Sequence, residues 1–202
     1  LVPRKRPGYC YPGYSDKEDF FMETISSLSD VATLRSHARN NIEQGAITAS
    51  YSADREAVIE LLNQALATEL VCVLRYRCHH FMARGIHAKN IAAEFLIHSN
   101  EEQGHADQLA ARIVQLGGEP NFSPDTLTSR SDAEYQVGDS LLEMIKENLI
   151  AERIAIDSYR EFIQYLGDQD STTSLLLKGI LAVEEEHADD LADLLQGLPT
   201  KM

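Results

Sequence analysis

The chain has 202 residues, enough to bury a core as one domain without disulfides, and a formal net charge of −14. This charge argues against a general affinity for nucleic acid or anionic membranes and fits a protein that handles cations. Its three cysteines form no C-x-x-C pair, and neither a signal peptide nor a membrane span is predicted, so we expect a cytoplasmic protein. The few prolines and glycines favour helices.

Residues 1–50 are predicted to form an N-terminal extension. Residues 1–28 have neither helical nor strand periodicity and indicate an irregular tail. A short helix is predicted from Ser29 or Asp30 to Gln44. The tail segment "PRKRPGYCYPGY" combines basic residues with tyrosines, a composition that can contact DNA. Against the acidic total we favour packing or disorder of the tail over DNA binding.

Residues 51–198 are predicted to form a single all-α domain of four long helices. In each, apolar residues recur three and four positions apart. The predicted helices are Asp54–Arg84, Ala88–Leu116, Asp139–Leu166 and Asp170–Leu195. A polar connection of about twenty residues separates the second from the third and is long enough to cross a whole bundle. Two antiparallel helix hairpins joined by one long crossover predict a ferritin-like four-helix bundle.

One acidic phrase occurs twice in the chain, as "SNEEQGHADQ" and "AVEEEHADDL". Each phrase has a glutamate three residues before its histidine: Glu102 before His105, and Glu184 before His187. Residues three apart lie on one helix face, so each pair can reach one metal ion. Glu101 is an alternative partner for the first histidine, but the residue four before the second histidine is a valine. The repeated spacing therefore selects Glu102.

Two further glutamates lie at matched distances before these pairs. Glu69 is 33 residues before Glu102, and Glu152 is 32 residues before Glu184. Both lie in apolar surroundings, "LATELVCV" and "NLIAERIAI", where a carboxylate is costly unless it is paired or bound to metal. A tyrosine follows each of them by seven residues, on the same helix face. Four glutamates and two histidines suit two divalent ions such as Fe(II) or Mn(II), and less well zinc.

The region from about Asp54 to Leu195 resembles the bacterioferritins and Dps-like proteins in the segments "ELVCVLRY", "EEQGHAD", "LIAERIA" and "EEEHADDL". The resemblance implies iron storage, in which a di-iron ferroxidase centre within each subunit oxidises Fe(II) with O2 or H2O2. The implied ligands are Glu69, Glu102, His105, Glu152, Glu184 and His187. Bacterioferritins take haem through a methionine directly after the first motif glutamate, and here Gln103 stands in that place. Haem is therefore not expected.

Within this hypothesis the ligands have different roles. Glu69 and Glu152 are predicted to be terminal ligands, and Glu102 and Glu184 to bridge the two ions, with one histidine completing the shell of each ion. Tyr76, seven residues after Glu69, is predicted to supply a further electron. Two adjacent ions let one oxidant collect two electrons without releasing a radical.

Storage requires an enclosed cavity, so we expect a closed homo-oligomer. The chain ends fifteen residues after His187, without the fifth helix that lines the larger cage. This favours a 12-subunit shell over the 24-subunit alternative. Two other functions stay open: a small peroxidase or catalase with two iron or manganese ions, and a Dps-type nucleoid protein that shields DNA through its tail.

The remaining candidate residues are given structural roles. Five histidines without a repeat partner are predicted to lie at the surface or to make local hydrogen bonds: His37, His79, His80, His87 and His98. Cys72, three residues after Glu69, is expected to be a small buried core residue rather than a redox group. Asp107 and Asp189 also repeat, but two residues past a histidine is about 200° around the helix, away from the site.

Overall fold

The computed structural model describes residues 28–86 and 88–197, which fall into two compact units divided between Glu43 and Gln44. In the first unit, helix α1 spans Val31–His37 and is capped by Asp30. The helix predicted to reach Gln44 is therefore too long. No side chain of α1 is buried, so no packing sustains a longer helix. The predicted irregular tail lies outside the described residues, apart from its last residue.

The second unit contains four long helices and one short one. They are α2 (Arg55–Met82), α3 (Ala88–Gln115), α4 (Leu127–Arg130), α5 (Leu141–Leu166) and α6 (Ser171–Gly197). The prediction of an all-α four-helix bundle is confirmed, and each predicted end of a long helix lies within two residues of the observed end. No strand occurs in residues 28–86 and 88–197.

Side-chain caps explain these boundaries. Asp54 accepts a hydrogen bond from the backbone N–H of Ala57 at the start of α2. At the start of α5, the hydroxyl of Ser140 accepts from the N–H of Glu143, whose carboxylate in turn accepts from the N–H of Asp139. Gly167 ends α5 with a φ of 49°, a left-handed conformation that favours glycine.

The crossover between α3 and α5 contains more structure than predicted. It holds a 3-10 turn at Pro124–Thr126, followed by α4. The guanidinium of Arg130 in α4 donates to the backbone carbonyls of Asn63 at 3.2 Å and Asn121 at 3.1 Å. These bonds tie the crossover to α2. A four-residue helix in a polar segment has no periodicity from which it could be predicted.

The core lies where the α2–α3 and α5–α6 hairpins meet, and all four long helices contribute buried residues to it. By length and composition alone α2 could also cross a membrane, which was not expected from the sequence. Half of its most apolar stretch is buried in the bundle, as is usual for a core helix. Leu74 and Ile97, which belong to the predicted apolar patterns, are about half exposed.

Candidate metal centre

The six predicted ligands lie together in the middle of the bundle, and none is more than 5% exposed. They form two overlapping groups whose ligand atoms lie within 4.8 Å of one another. The first group is Glu69, Glu102, His105 and Glu184, and the second is Glu102, Glu152, Glu184 and His187. Each group has three carboxylates and one imidazole. The two groups share one glutamate from α3 and one from α6.

The first group is arranged around Nδ1 of His105. This nitrogen lies 3.4 Å from Oε2 of Glu69, 3.4 Å from Oε2 of Glu102 and 2.9 Å from Oε1 of Glu184. The three carboxylates come from three different helices, α2, α3 and α6. One position between them is therefore surrounded by four ligand atoms, a donor set that suits a first-row divalent ion.

The second group is arranged in the same way around Nδ1 of His187. This nitrogen lies 3.6 Å from Oε1 of Glu102, 4.0 Å from Oε2 of Glu152 and 3.6 Å from Oε2 of Glu184. Glu102 and Glu184 thus direct one oxygen to each histidine. That geometry fits the bridging role expected of them, and the other two glutamates each lie on one side only.

The donor atoms themselves indicate that a cation belongs here. Among the described residues, five buried oxygens have no hydrogen-bond partner: Glu69 Oε2, Glu102 Oε1, Glu152 Oε2 and both oxygens of Glu184. Nδ1 of His187 is also without a partner. Buried polar atoms are rarely left unpaired in proteins, since each costs free energy. Two divalent ions would satisfy all six atoms, so the residues fit a di-metal centre.

Without metal, two of the four carboxylates, those of Glu69 and Glu152, have a raised pKa, whereas the pKa of Glu102 and of Glu184 is lowered. Burial and the nearby charge of Glu102 raise the pKa of Glu69 to about 8. Burial, with Glu102 and Glu184 close by, raises the pKa of Glu152 well above its usual range. Burial alone would lower the pKa of His105, but its close approach to the carboxylates of Glu102, Glu184 and Glu69 outweighs it and raises this pKa to about 12. The pKa of His187 rises to about 11 for the same reason.

Two tyrosines link the halves of the centre crosswise. The hydroxyl of Tyr76 on α2 donates to Glu152 on α5, and the hydroxyl of Tyr159 on α5 donates to Glu69 on α2. Each tyrosine therefore reaches the glutamate of the other hairpin, not the one on its own helix. Two such bonds over the same seven-residue spacing require α2 and α5 to run antiparallel, because in parallel helices only one pair would lie level.

His98 lies beside the centre; of the two roles predicted for it, a surface position is wrong and a local hydrogen bond is observed. Its side chain is 1% exposed, and its ring stacks on that of His187 with centroids 4.1 Å apart. Nδ1 of His98 lies 3.2 Å from the hydroxyl oxygen of Tyr76. One feature of the sequence indicates this position: His98 precedes Glu102 by four residues, which places both on one helix face.

Two other residues near the centre were not predicted. Glu101 accepts a hydrogen bond at 2.9 Å from Nε2 of His187, and a carboxylate on the outer nitrogen of a metal-binding histidine commonly orients its ring. Arg75 is fully buried and donates to Asn148 Oδ1 at 2.9 Å and to the backbone carbonyl of Glu134 at 2.8 Å. Its charge partly balances the four glutamates. Arginine inside the apolar segment "LVCVLRY" was the available signal.

The other residues given structural roles agree with them where they are described. His79 is buried between Asn148 and a backbone carbonyl, and Nδ1 of His80 lies 2.6 Å from the carbonyl oxygen of Ala92. His37 is exposed, and Cys72 is buried in the core as predicted. Asp107 and Asp189 are exposed. His87 lies outside the described residues.

Comparison with known proteins matches residues 59–200 to the ferritin-like domain. The chain belongs to the ferritin-like family. Bacterioferritin BfrA of Mycobacterium tuberculosis is 30% identical over 140 residues, which cover 69% of this chain and 84% of that protein. Bacterioferritin of Rhodobacter capsulatus is 32% identical over 136 residues, covering 66% and 80% of the two chains. The resemblance to bacterioferritins is therefore confirmed.

Solved structures agree with the family assignment. A dodecameric thioferritin, the bacterioferritin-related protein of Bacteroides fragilis, superposes with a TM-score of 0.69 at 32% identity, covering 71% of this chain and 87% of that one. Dps of Thermosynechococcus elongatus superposes with a TM-score of 0.67 at 21% identity, covering 69% and 90%. The second match shows the fold alone.

Proposed function

We propose that this ferritin-like protein oxidises Fe(II) at the two overlapping carboxylate–histidine groups and stores the Fe(III) product. One observation carries the proposal: Glu102 and Glu184 each direct one oxygen to either histidine, so both belong to both groups. Shared carboxylates hold two ions close together, and two adjacent ions can act on one oxidant. The bacterioferritin relatives support the same activity.

Fe(II) is the substrate, and the ligand set decides how it is held. Glu69 and His105 complete one ion's surroundings, and Glu152 and His187 complete those of the other. When bound, each Fe(II) supplies one electron, so a pair reduces one H2O2 to two waters with the uptake of two protons. Iron is the metal that the relatives support, and manganese would fit the same oxygen and nitrogen donors.

The surrounding side chains of this chain hold protons and exclude water. The tyrosine hydroxyls donate to the terminal glutamates and fix the oxygen that each presents. Glu101 holds the outer nitrogen of His187. Burial of all six ligands keeps solvent out, which strengthens each electrostatic interaction with a bound ion. We also assign Tyr76, bonded directly to Glu152, as the source of a further electron.

Storage implies assembly into a closed shell, and we propose 12 subunits in the cytoplasm. The support is the dodecameric Bacteroides fragilis protein, which covers most of this chain. The 24-subunit cage is the alternative. Gln103 donates to Asp107 at 2.9 Å and offers no thioether to haem. The DNA-binding alternative rests on a tail outside the described residues and is not favoured.

The test is rapid mixing of anaerobically loaded Fe(II) protein with H2O2 or O2. Glu102→Ala removes a ligand from both groups, so we expect the oxidation rate to fall by at least about 100-fold, since even outer-shell partners of a metal contribute 10–100-fold. Glu69→Gln touches one group only and should retain one ion per subunit. Asp107→Ala, an exposed carboxylate on the same helix, is the matched control and should keep the full rate.

Two results would contradict the proposal. Unchanged oxidation kinetics in Glu102→Ala would remove the assigned centre. Retention of only about two iron ions per subunit after repeated loading would favour the small peroxidase, whereas storage requires many more. Light scattering then separates the shells, because 12 and 24 subunits differ twofold in mass.

A further inference from the structure

Beside the di-metal centre, the ring of His98 is held in one orientation by Tyr76. The Tyr76 hydroxyl donates its hydrogen to Glu152, so its oxygen is free to accept from Nδ1–H of His98 at 3.2 Å. A neutral histidine that donates through Nδ1 carries its lone pair on Nε2. The stack on His187, with an interplanar angle of 18°, fixes the plane of the ring. Nε2 is therefore an acceptor with a defined direction.

Two further hydrogen-bond acceptors, the carboxylates of Glu94 and Asp190, lie close to Nε2 of His98. Nε2 of His98 lies 3.5 Å from Oε1 of Glu94 and 3.8 Å from Oδ2 of Asp190. It is fully buried and has no hydrogen-bond partner among the described residues. The three ligand atoms lie within 4.8 Å of one another. One imidazole lone pair and two carboxylate oxygens, without a donor between them, are stabilised by a cation.

We propose that His98, Glu94 and Asp190 bind a third divalent metal ion, next to the di-metal centre but outside it. A borderline nitrogen with two hard oxygens suits Fe(II), Mn(II), Co(II) or Zn(II). The carboxylates of Glu94 and Asp190 are 35% and 50% exposed, so an ion reaches this position from solvent. An ion at this position is separated from His187 only by the imidazole ring of His98, which stacks on the ring of His187. The third site is thus a place where Fe(II) is held beside the centre.

The internal repeat shows that these ligands are particular to one side of the molecule. The offset between Glu102 and Glu184 is 82 residues, and the same offset carries His98 to Ile180 and Glu94 to Leu176. Counted backwards, Asp190 corresponds to Gln108. None of the three ligands is reproduced in the other half. The cluster is therefore no by-product of the duplicated metal motif.

Anomalous diffraction from crystals of the full-length protein soaked in Co(II) tests the proposal directly. We expect a peak between Nε2 of His98 and the carboxylates of Glu94 and Asp190, in addition to the two ions of the centre. Asp190→Asn should lose this third peak and keep the other two. Asp189→Asn, the exposed neighbour on α6, is the matched control and should keep all three.

Solution measurements guard against a crystal artefact. Co(II) titration should give about three tight ions per subunit in the native protein and about two in Asp190→Asn and in His98→Ile, which copies the residue at the equivalent position of the repeat. A native protein with no density at His98, or an Asp190→Asn variant that keeps the third ion, would overturn the proposal.

Discussion

The α2–α3 and α5–α6 hairpins supply matching ligands to the centre but surround them differently. Each provides a glutamate, a tyrosine seven residues later, and a Glu-x-x-His pair, and each tyrosine bonds to the other hairpin's glutamate. Beyond these residues the match ends. Both tyrosines pack in apolar clusters, but Tyr76 also contacts the polar ring of His98, whereas the cluster of Tyr159 contains Ile180, the repeat counterpart of His98. The near-symmetric ligands would therefore place two ions in unequal surroundings.

This difference separates two requirements. Holding a pair of ions needs the same donors on both sides, and the repeat supplies them. Ions and electrons that reach the pair from one side require different residues on the two sides of the centre. On the polar side, the partly exposed carboxylates of Glu94, Glu101 and Asp190 lie near His98 and His187. On the other, apolar side, the position that corresponds to His98 is occupied by Ile180, which is buried. Variants that change only one hairpin test this difference between the polar and the apolar side of the centre.

The largest expected effect concerns stability, since the two hairpins are joined by a buried ion pair. Arg112 on α3 donates to both oxygens of Asp170, at 2.8 and 3.0 Å, and Asp170 also accepts from the backbone N–H of Thr173 to cap α6. Asp170→Ala leaves the buried guanidinium unpaired. We expect a loss of about 3–5 kcal/mol in the free energy of unfolding, measured by denaturant titration at fixed protein concentration.

Asp168→Ala, an exposed carboxylate two residues away, is the control and should change stability by less than about 0.5 kcal/mol. The double variant Arg112→Met, Asp170→Ala removes both charges and should recover part of the loss. The equivalent position at the start of α3 is Ala88, which has no such partner. A loss below 1 kcal/mol in Asp170→Ala would mean that this ion pair does not join the hairpins.

The four long helices and the six expected ligands could be predicted from the sequence, because the helical period and the internal repeat specify them. The four long helices have buried faces whose spacing can be read directly, and the six expected ligands lie together because their positions recur 82 or 83 residues apart. His98 was predicted to lie at the surface or to make a local hydrogen bond, because it has no repeat partner, and its place beside the centre was not predicted. The crosswise tyrosine bonds could not be predicted, since spacing along one helix does not say which residue of another helix lies level with it.

The short elements and the buried charges show what could not be predicted from the sequence. The pattern in residues 30–44 favours a continuous helix, yet only Val31–His37 is α-helical and Ile42–Gln44 forms a separate 3-10 turn, because propensity without a buried face does not maintain a longer helix. Arg130, which ties the crossover to α2, follows no periodicity. Burial of a lone charge such as Arg75 depends on distant acceptors, here Asn148 and the carbonyl of Glu134, and local sequence does not identify them.

A second prediction concerns protons and tests how alike the two groups are. The raised pKa values of His105, about 12, and His187, about 11, mean that both rings are protonated at neutral pH without metal. Glu69, with a pKa of about 8, is mostly protonated as well. A metal ion needs the deprotonated forms. Binding therefore weakens as the pH falls, and occupancy of both positions should release about two to four protons per subunit.

Calorimetric titration of Co(II) at pH 7, in two buffers with different heats of ionisation, counts the released protons. Between pH 8 and pH 6 the joint affinity for two ions should fall by about 100-fold per pH unit, because at least two protons are displaced. Variants that change one group only, such as Glu69→Gln, show how many of the released protons come from each group. Binding without proton release at pH 7 would show that neither the histidine rings nor the glutamates of the centre carry protons that the ions displace.

The smallest expected effect compares the two tyrosines and separates the polar side from the apolar side. Tyr76→Phe removes the hydrogen bond to Glu152 and also leaves Nδ1–H of His98 without an acceptor, whereas Tyr159→Phe removes only the bond to Glu69. A buried hydrogen bond contributes about 1 kcal/mol. We expect Tyr159→Phe to weaken Co(II) binding by several-fold and Tyr76→Phe by about twice as much in free energy.

Oxidation kinetics sharpen the same comparison, because Tyr76 is also assigned an electron. When one oxidant meets a centre holding fewer than two Fe(II), a missing electron must come from a side chain, and Tyr76 lies between Glu152 and His98, toward the proposed third ion. A tyrosyl radical signal in freeze-quenched samples should therefore disappear in Tyr76→Phe and persist in Tyr159→Phe. Equal loss in both variants would mean that the tyrosines act only by positioning glutamates, and the two sides of the centre would then be equivalent in chemistry as well as in ligands.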